Sequence, residues 1–177
     1  MLKAFRLQRG MSLIELCVGV AIFAVLAAMA APSFTAWIQS SQIRVAAESI
    51  QNGLQLARAE AVRQNAQVQF VMDSAYGWSV GCVTASAACP AVIQSRPASE
   101  GSANAVIAVT ENGGGVSFPV TVIFNGVGRV TQIVETDFGV TNPTGGSGMR
   151  NLRVVVSTGG QVRMCDPALS SSDPRGC

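Results

Sequence analysis

The first third of the chain changes pattern twice. Between Leu16 and Ala31 no residue is charged, and a short polar stretch with Lys3, Arg6 and Arg9 stands in front. The run Ile14–Ala31 has eighteen residues with Glu15 as its one charge, near the lower end of the roughly 17–25 that cross a bilayer. From Ser33 to Asn65 the pattern becomes one-sided: there is no proline and a single glycine, Gly53. Ile43, Ala47, Ile50, Leu54, Ala57 and Ala61 recur at three- and four-residue steps and form one apolar stripe. Gln42, Glu48, Gln51, Gln55 and Arg58 take the other faces. The two patterns predict one helix from Leu13 to Asn65, about 80 Å long at 1.5 Å per residue, with one half suited to lipid and the other to packing on a domain.

After Asn65 short apolar runs alternate with Gly, Ser and Asn, which predicts strands. Val68–Asp73 and Tyr76–Val80 form a hairpin around Asp73-Ser74-Ala75. Further strands are expected at Ala91–Gln94, Val106–Thr110, Val116–Phe124, Val130–Glu135, Leu152–Ser157 and Gln161–Cys165, the last two joined by the turn Thr158-Gly159-Gly160. The glycine clusters Gly113–Gly115 and Gly145–Gly148 read as loops, because neither leads from a strand into a helix with Lys-Ser/Thr as a phosphate cradle requires. The fold class expected is α+β: a long N-terminal helix packed on a C-terminal antiparallel β-sheet domain.

Charge changes the picture at the N-terminus. The formal net charge is +2, but three of the twelve basic residues precede the apolar run, and the remainder carries nine against ten acidic residues. That balance excludes a globally basic nucleic-acid binder. Basic residues on one flank orient the span with that flank in the cytoplasm and the domain outside. A secretory signal with cleavage at Ala28-Met29-Ala30 and a plain signal anchor are the two ordinary readings. Neither accounts for Glu15, since a carboxylate within a membrane segment costs about 2.5–3.5 kcal/mol on insertion scales and calls for a partner.

The stretch Gly10-Met11-Ser12-Leu13-Ile14-Glu15-Leu16, with the basic segment before it and Pro32 at the end of the apolar run, resembles the class III leader of type IV pilins and pseudopilins. The resemblance implies that a prepilin peptidase cuts after Gly10 and methylates the new amine of Met11, which stands where the family usually has Phe. It implies that Glu15, fifth after the cut, serves subunit assembly by facing the Met11 amine of a neighbour. Pro32 takes the place of the proline that kinks the pilin helix, as loss of one helical hydrogen bond would require. Leu56–Arg63, Gly77-Trp78-Ser79-Val80, Ile123–Gly128 and the last hairpin are similar to the GspH/FimT class of minor pilins and pseudopilins. The implied organisation is a leader over 1–10, a transmembrane part over 11–32, a periplasmic amphipathic half of the same helix over 33–65 and an antiparallel β head over 66–177. The implied partners are other pilins through the helix, the prepilin peptidase and the inner membrane. Before assembly the chain would be a single-pass inner-membrane protein with a periplasmic head, and afterwards part of a pilus or pseudopilus.

Four of the five cysteines fit an oxidising compartment. Cys82 and Cys89 flank one loop and Cys165 and Cys177 bracket the tail, so both local pairs can close disulfides, although four cysteines allow three connectivities. Without a C-x-x-C or a histidine, zinc is disfavoured. Cys17 reads as a small lipid-facing residue.

The absence of histidine removes Ser-His-Asp, Cys-His and His-metal chemistry, and Glu135 with Asp137 reads as a solvated edge rather than an acid pair. No catalytic residue, cofactor or metal site is expected. Three readings follow: a minor type IV pilin that primes or caps assembly, a type II secretion pseudopilin, and a DNA receptor at the pilus tip. The third rests on Arg150, Arg153, Arg163 and Arg175 within the last 28 residues. The DNA-binding members of the class carry Gly-Arg-x-Arg at the last hairpin, whereas here it reads Gly160-Gln161-Val162-Arg163, one arginine short.

Overall fold

The computed structural model describes residues 11–143 and 149–177, with the side chains of 30–33 also outside the described set. The glycines of the 145–148 cluster therefore lie outside it. One helix, α1 (Leu13–Gln64), precedes nine strands: β1 (Val68–Met72), β2 (Trp78–Cys82), β3 (Gln94–Arg96), β4 (Val106–Glu111), β5 (Gly114–Val116), β6 (Val120–Phe124), β7 (Thr136–Thr141), β8 (Leu152–Val156) and β9 (Val162–Cys165). The chain divides into two compact units, Met1–Ala36 and Trp37–Cys177.

In the second unit α1 ends where its residues stop supporting a helix. Asn65 takes a left-handed conformation with φ of 47°, the Ala66 N–H reaches back to the Ala61 carbonyl, and the Asn65 N–H reaches that of Val62. This pair of bonds is a Schellman closure and satisfies carbonyls the helix would leave open. All six residues of the predicted stripe, from Ile43 to Ala61, are buried, joined by Ala46, Ser49 and Gly53.

The β region forms two antiparallel sheets rather than one, in the orders β3-β2-β1-β6 and β5-β4-β7-β8-β9. Phe70 of β1 meets Trp78 of β2 at 5.7 Å and Phe138 of β7 edge-on at 5.9 Å between ring centroids, so the core runs from one sheet to the other. Gly53 lets the rings approach the helix: a Cβ there would lie 2.8 Å from Phe70 Cε2. The predicted β1–β2 hairpin is present, closed by Asp73 Oδ1 accepting the N–H groups of Ala75 at 2.8 Å and Gly77 at 3.0 Å. The β8–β9 turn is also where the sequence places it, with Gly160 at φ of 82°.

Four strand assignments change. The expected strand Val130–Glu135 reduces to a bridge between Val130 and Phe124. There the Gln132 side chain accepts from the Ile123 N–H and donates to the Thr121 carbonyl at 2.6 Å, taking the place of a strand along β6. The real strand is β7, whose inward residues Thr136, Phe138 and Val140 are buried. Its outward Asp137 and Gly139 belong to types depleted in strands, which hides the alternation. Val116–Phe124 splits between the two sheets because Pro119 has no N–H for a ladder. Ala91–Gln94 moves to Gln94–Arg96: the chain first crosses so close over Gly81 that a Cβ there would run into the Ala91 carbonyl. Gly114 and Gly115 are not loop but strand β5, paired with β4 across the Asn112-Gly113 turn.

Candidate functional site

In the first unit the described side chains from Met11 to Met29 are all exposed, among them Leu13 at 82%, Phe23 at 73% and Met29 at 74%. The helix that begins here is long and apolar enough to cross a membrane. Its start is set by Ser12: Glu15 donates its backbone N–H to Ser12 Oγ at 3.3 Å, and Leu16 donates to the Ser12 carbonyl. Ser12 is thus an N-cap with Glu15 at the third helical position, where a carboxylate favours the helix dipole. Sequence reading passed over this cap, although Ser-x-x-Glu before an apolar run is its usual signal. Glu15 itself is exposed, as is Cys17. Gly10 lies outside the described residues. Pro32 lies within the helical stretch, with its side chain outside the described set.

The four arginines of the DNA-receptor reading all have partners within the protein. Arg150 pairs with Asp166 at 3.1 Å, Arg153 with Asp137 at 3.5 Å and Arg175 with Asp173 at 3.0 Å. Arg163 donates to the Gly176 carbonyl at 3.3 Å. The Arg153–Asp137 pair also removes Asp137 from any acid pair with Glu135, which is exposed. Register places Arg153 opposite Cys165 and Arg163 opposite Val155, so both stand on the same face of their sheet. Arg150 and Arg175 instead line a cavity of about 670 Å³ together with Trp37, Ser40, Ser41 and Arg44 of α1.

The two ends of the second unit are therefore different. At the end bearing Trp37, its first residue, lies the arginine-lined cavity. The turn of the last hairpin lies toward the Gln64 end of α1: a Cβ on Gly160 would strike the Gly128 carbonyl, which accepts a hydrogen bond from Arg58 Nε at 3.1 Å. The tail that carries Arg175 is fixed by the Cys165–Cys177 disulfide, with Cα atoms 5.2 Å apart. The Cys82–Cys89 disulfide, at 5.8 Å, closes the loop after β2. At the tail the Arg175 guanidinium and backbone N–H both bond Asp173 and hold its carboxyl down at about 2. Beside the helix end, the Arg63 guanidinium lowers the Glu60 carboxyl in the same way. Trp37, Ser40, Ser41 and Arg44 escaped the sequence reading, although their three- and four-residue spacing marks one helical face. No group of His, Cys, Asp and Glu among the described residues could hold a metal ion.

No curated protein sequence matches the chain significantly. Among solved structures it is similar to the type IV minor pilin FimU of Pseudomonas aeruginosa strain PAO1. That likeness has 24% identity, covers 76% of this chain and 94% of that one, and has a TM-score of 0.53. It is also similar to the minor pseudopilin EpsH of the Vibrio cholerae type 2 secretion system, at 15% identity over 72% of this chain and 99% of that one, with a TM-score of 0.54. At these identities the likenesses establish the type IV pilin-like fold and nothing finer. Residues 5–31 match the prokaryotic N-terminal methylation motif, and residues 46–160 match the model for the type II transport protein GspH. The chain belongs to the GspH family of minor pilin- and pseudopilin-like proteins, whose members are structural subunits and not enzymes.

Proposed function

We propose that this protein is a minor type IV pilin, a subunit that primes or caps a pilus through its N-terminal helix. The observation that carries the reading is the exposed apolar helix with one carboxylate four residues from Met11. In this reading the prepilin peptidase cuts after Gly10 and methylates Met11, and the span sits in the inner membrane with the β head in the periplasm. Pro32 provides the bend or local opening in the helix. Glu15 then faces the Met11 amine of a neighbouring subunit. Each charge is costly alone near hydrocarbon and the pair removes most of that cost, so assembly is favoured over the isolated subunit.

A type II secretion pseudopilin is supported equally by the GspH family match and the EpsH likeness. A DNA-uptake role draws less support, because three of the four arginines already hold carboxylates. The deciding experiment is a clean deletion scored together for surface pili and secreted exoenzymes. Loss of pili with secretion intact is expected. Loss of secretion with pili intact would make the protein a pseudopilin instead.

A further inference from the structure

We propose that the cavity at the Trp37 end of the second unit is a socket for a second copy of this chain, which inserts the exposed Ile133 and Glu135 of its β6–β7 connection. Arg44, Arg150 and Arg175 line the cavity against one carboxylate, Asp166. Arg150 is held by Asp166 and Arg175 by Asp173, outside the lining. Arg44 is the uncompensated charge. It is exposed and makes no ion pair among the described residues, including with Glu48 one turn along α1. Leu152, Met164 and Leu169 supply apolar lining, and the volume of about 670 Å³ has room for more than one side chain. Such a site fits an aliphatic group with a carboxylate close by, because the apolar wall takes the one and the guanidinium the other.

The matching group is carried by the same unit. Ile133 is 93% exposed, the highest value among the described large hydrophobic residues. Glu135, two residues on, is exposed and makes no ion pair among the described residues. The segment is pinned on both sides: the Gln132 side chain bonds Ile123 and Thr121, and the Glu135 carbonyl accepts the Asn112 N–H at 3.4 Å. An isoleucine and a carboxylate presented on a pinned segment lose little backbone freedom on docking. Their own cavity is out of reach. Leu152 lines it, whereas Thr136, next to Glu135, pairs with Val156, so the length of β8, about 13 Å, lies between. Socket and insert thus occupy different surfaces of one chain, which makes the contact heterologous and able to repeat from copy to copy. It lies wholly within the second unit and does not depend on the Glu15–Met11 pairing, nor on which machine the subunit serves.

The test is a charge swap between the two surfaces. The full chain is purified in neutral detergent, and self-association is followed by sedimentation for the wild type, Arg44→Glu and Glu135→Arg. Both positions are exposed, so neither variant should disturb the fold. The wild type is expected to form oligomers that grow with concentration. Each reversal alone should weaken association by about tenfold, as loss of one charge-assisted contact implies. An equal mixture of the two variants should recover it, because every socket then meets an insert of opposite charge. A wild type that stays monomeric overturns the proposal. So does association that neither reversal weakens, or a mixture that fails to recover. A second measurement locates the contact: photoreactive benzoylphenylalanine replaces Ile133 in the full chain, and the cross-linked products are mapped by mass spectrometry. Links between chains to Leu152, Met164 or Leu169 support the socket, and links confined to one chain or falling outside the cavity overturn it. The deletion phenotype is read separately, so failure here leaves the proposed function standing.

Discussion

Trp78 donates its indole N–H to Ser49 Oγ at 2.8 Å in the buried seam between the helix and the first sheet. Both partners are nearly sealed from water, Ser49 at 6% and Trp78 at 6% exposure, so neither can exchange the other for solvent. The bond fixes the helix against β2 at one level and gives the tryptophan a single orientation beside Phe70. Ser49→Ala leaves the indole N–H unpaired and should destabilise the fold by about 1–3 kcal/mol. Urea unfolding followed by tryptophan fluorescence would measure it; an unchanged midpoint would show that another acceptor replaces Ser49.

A second consequence concerns Gly53, one turn further along the same seam. Helix propensity alone favours alanine there by about 1 kcal/mol. The new Cβ would lie 2.8 Å from Phe70 Cε2 and 3.2 Å from Trp78 Cδ2, and both rings are locked in the core. Overpacking of this kind costs about 1–3 kcal/mol, so Gly53→Ala should lower the melting temperature. A rise would mean that the rings move aside freely.

The tail depends on its disulfide. Cys165 and Cys177 are 12 residues apart in sequence, and closing a loop of that size stabilises by roughly 3 kcal/mol through the unfolded chain. Cys177→Ser should therefore lower stability by up to that amount. It should also free residues 166–177 to faster hydrogen exchange, read by mass spectrometry, while β1 and β2 stay protected.

Asp173 gives the tail a pH dependence. Its folded pKa is depressed to about 2 from an ordinary 3.8, chiefly by the Arg175 guanidinium. A depressed acid contributes stability that is whole above the ordinary value and fades as pH falls toward the folded one. Asp173→Asn should thus be less stable than wild type at neutral pH, with the gap closing between about pH 4 and pH 2. A gap constant across that window would rule out the carboxylate as its source.

At the other end of the chain, Glu15→Ala should insert into the membrane as well as wild type does and enter filaments poorly. Comparing the protein in sheared filaments with that in the membrane fraction measures both. Equal incorporation of the variant would remove the charge-pairing account.

The sequence by itself determined the helix and its two halves, because a 3.6-residue stripe and an uncharged run are local patterns that need no partner to be visible. Ile43 through Ala61 all proved to be core, and the hairpins at Asp73 and Gly160 lie where turn residues demand them. The family was legible too, since the leader and its glutamate stand at fixed spacing. Only the tertiary structure could decide the rest. Strand β7 carries Asp137 and Gly139 outward, and its pattern makes sense only once Arg153 and the neighbouring strands lie beside it. The separation of Val116 from Val120 depended on which sheet each could join. The four late arginines are close in sequence, yet three of them hold carboxylates and the fourth a backbone carbonyl once the chain has folded. Whether a charge is free or already paired depends on residues brought near by folding, and spacing along the chain does not carry that information.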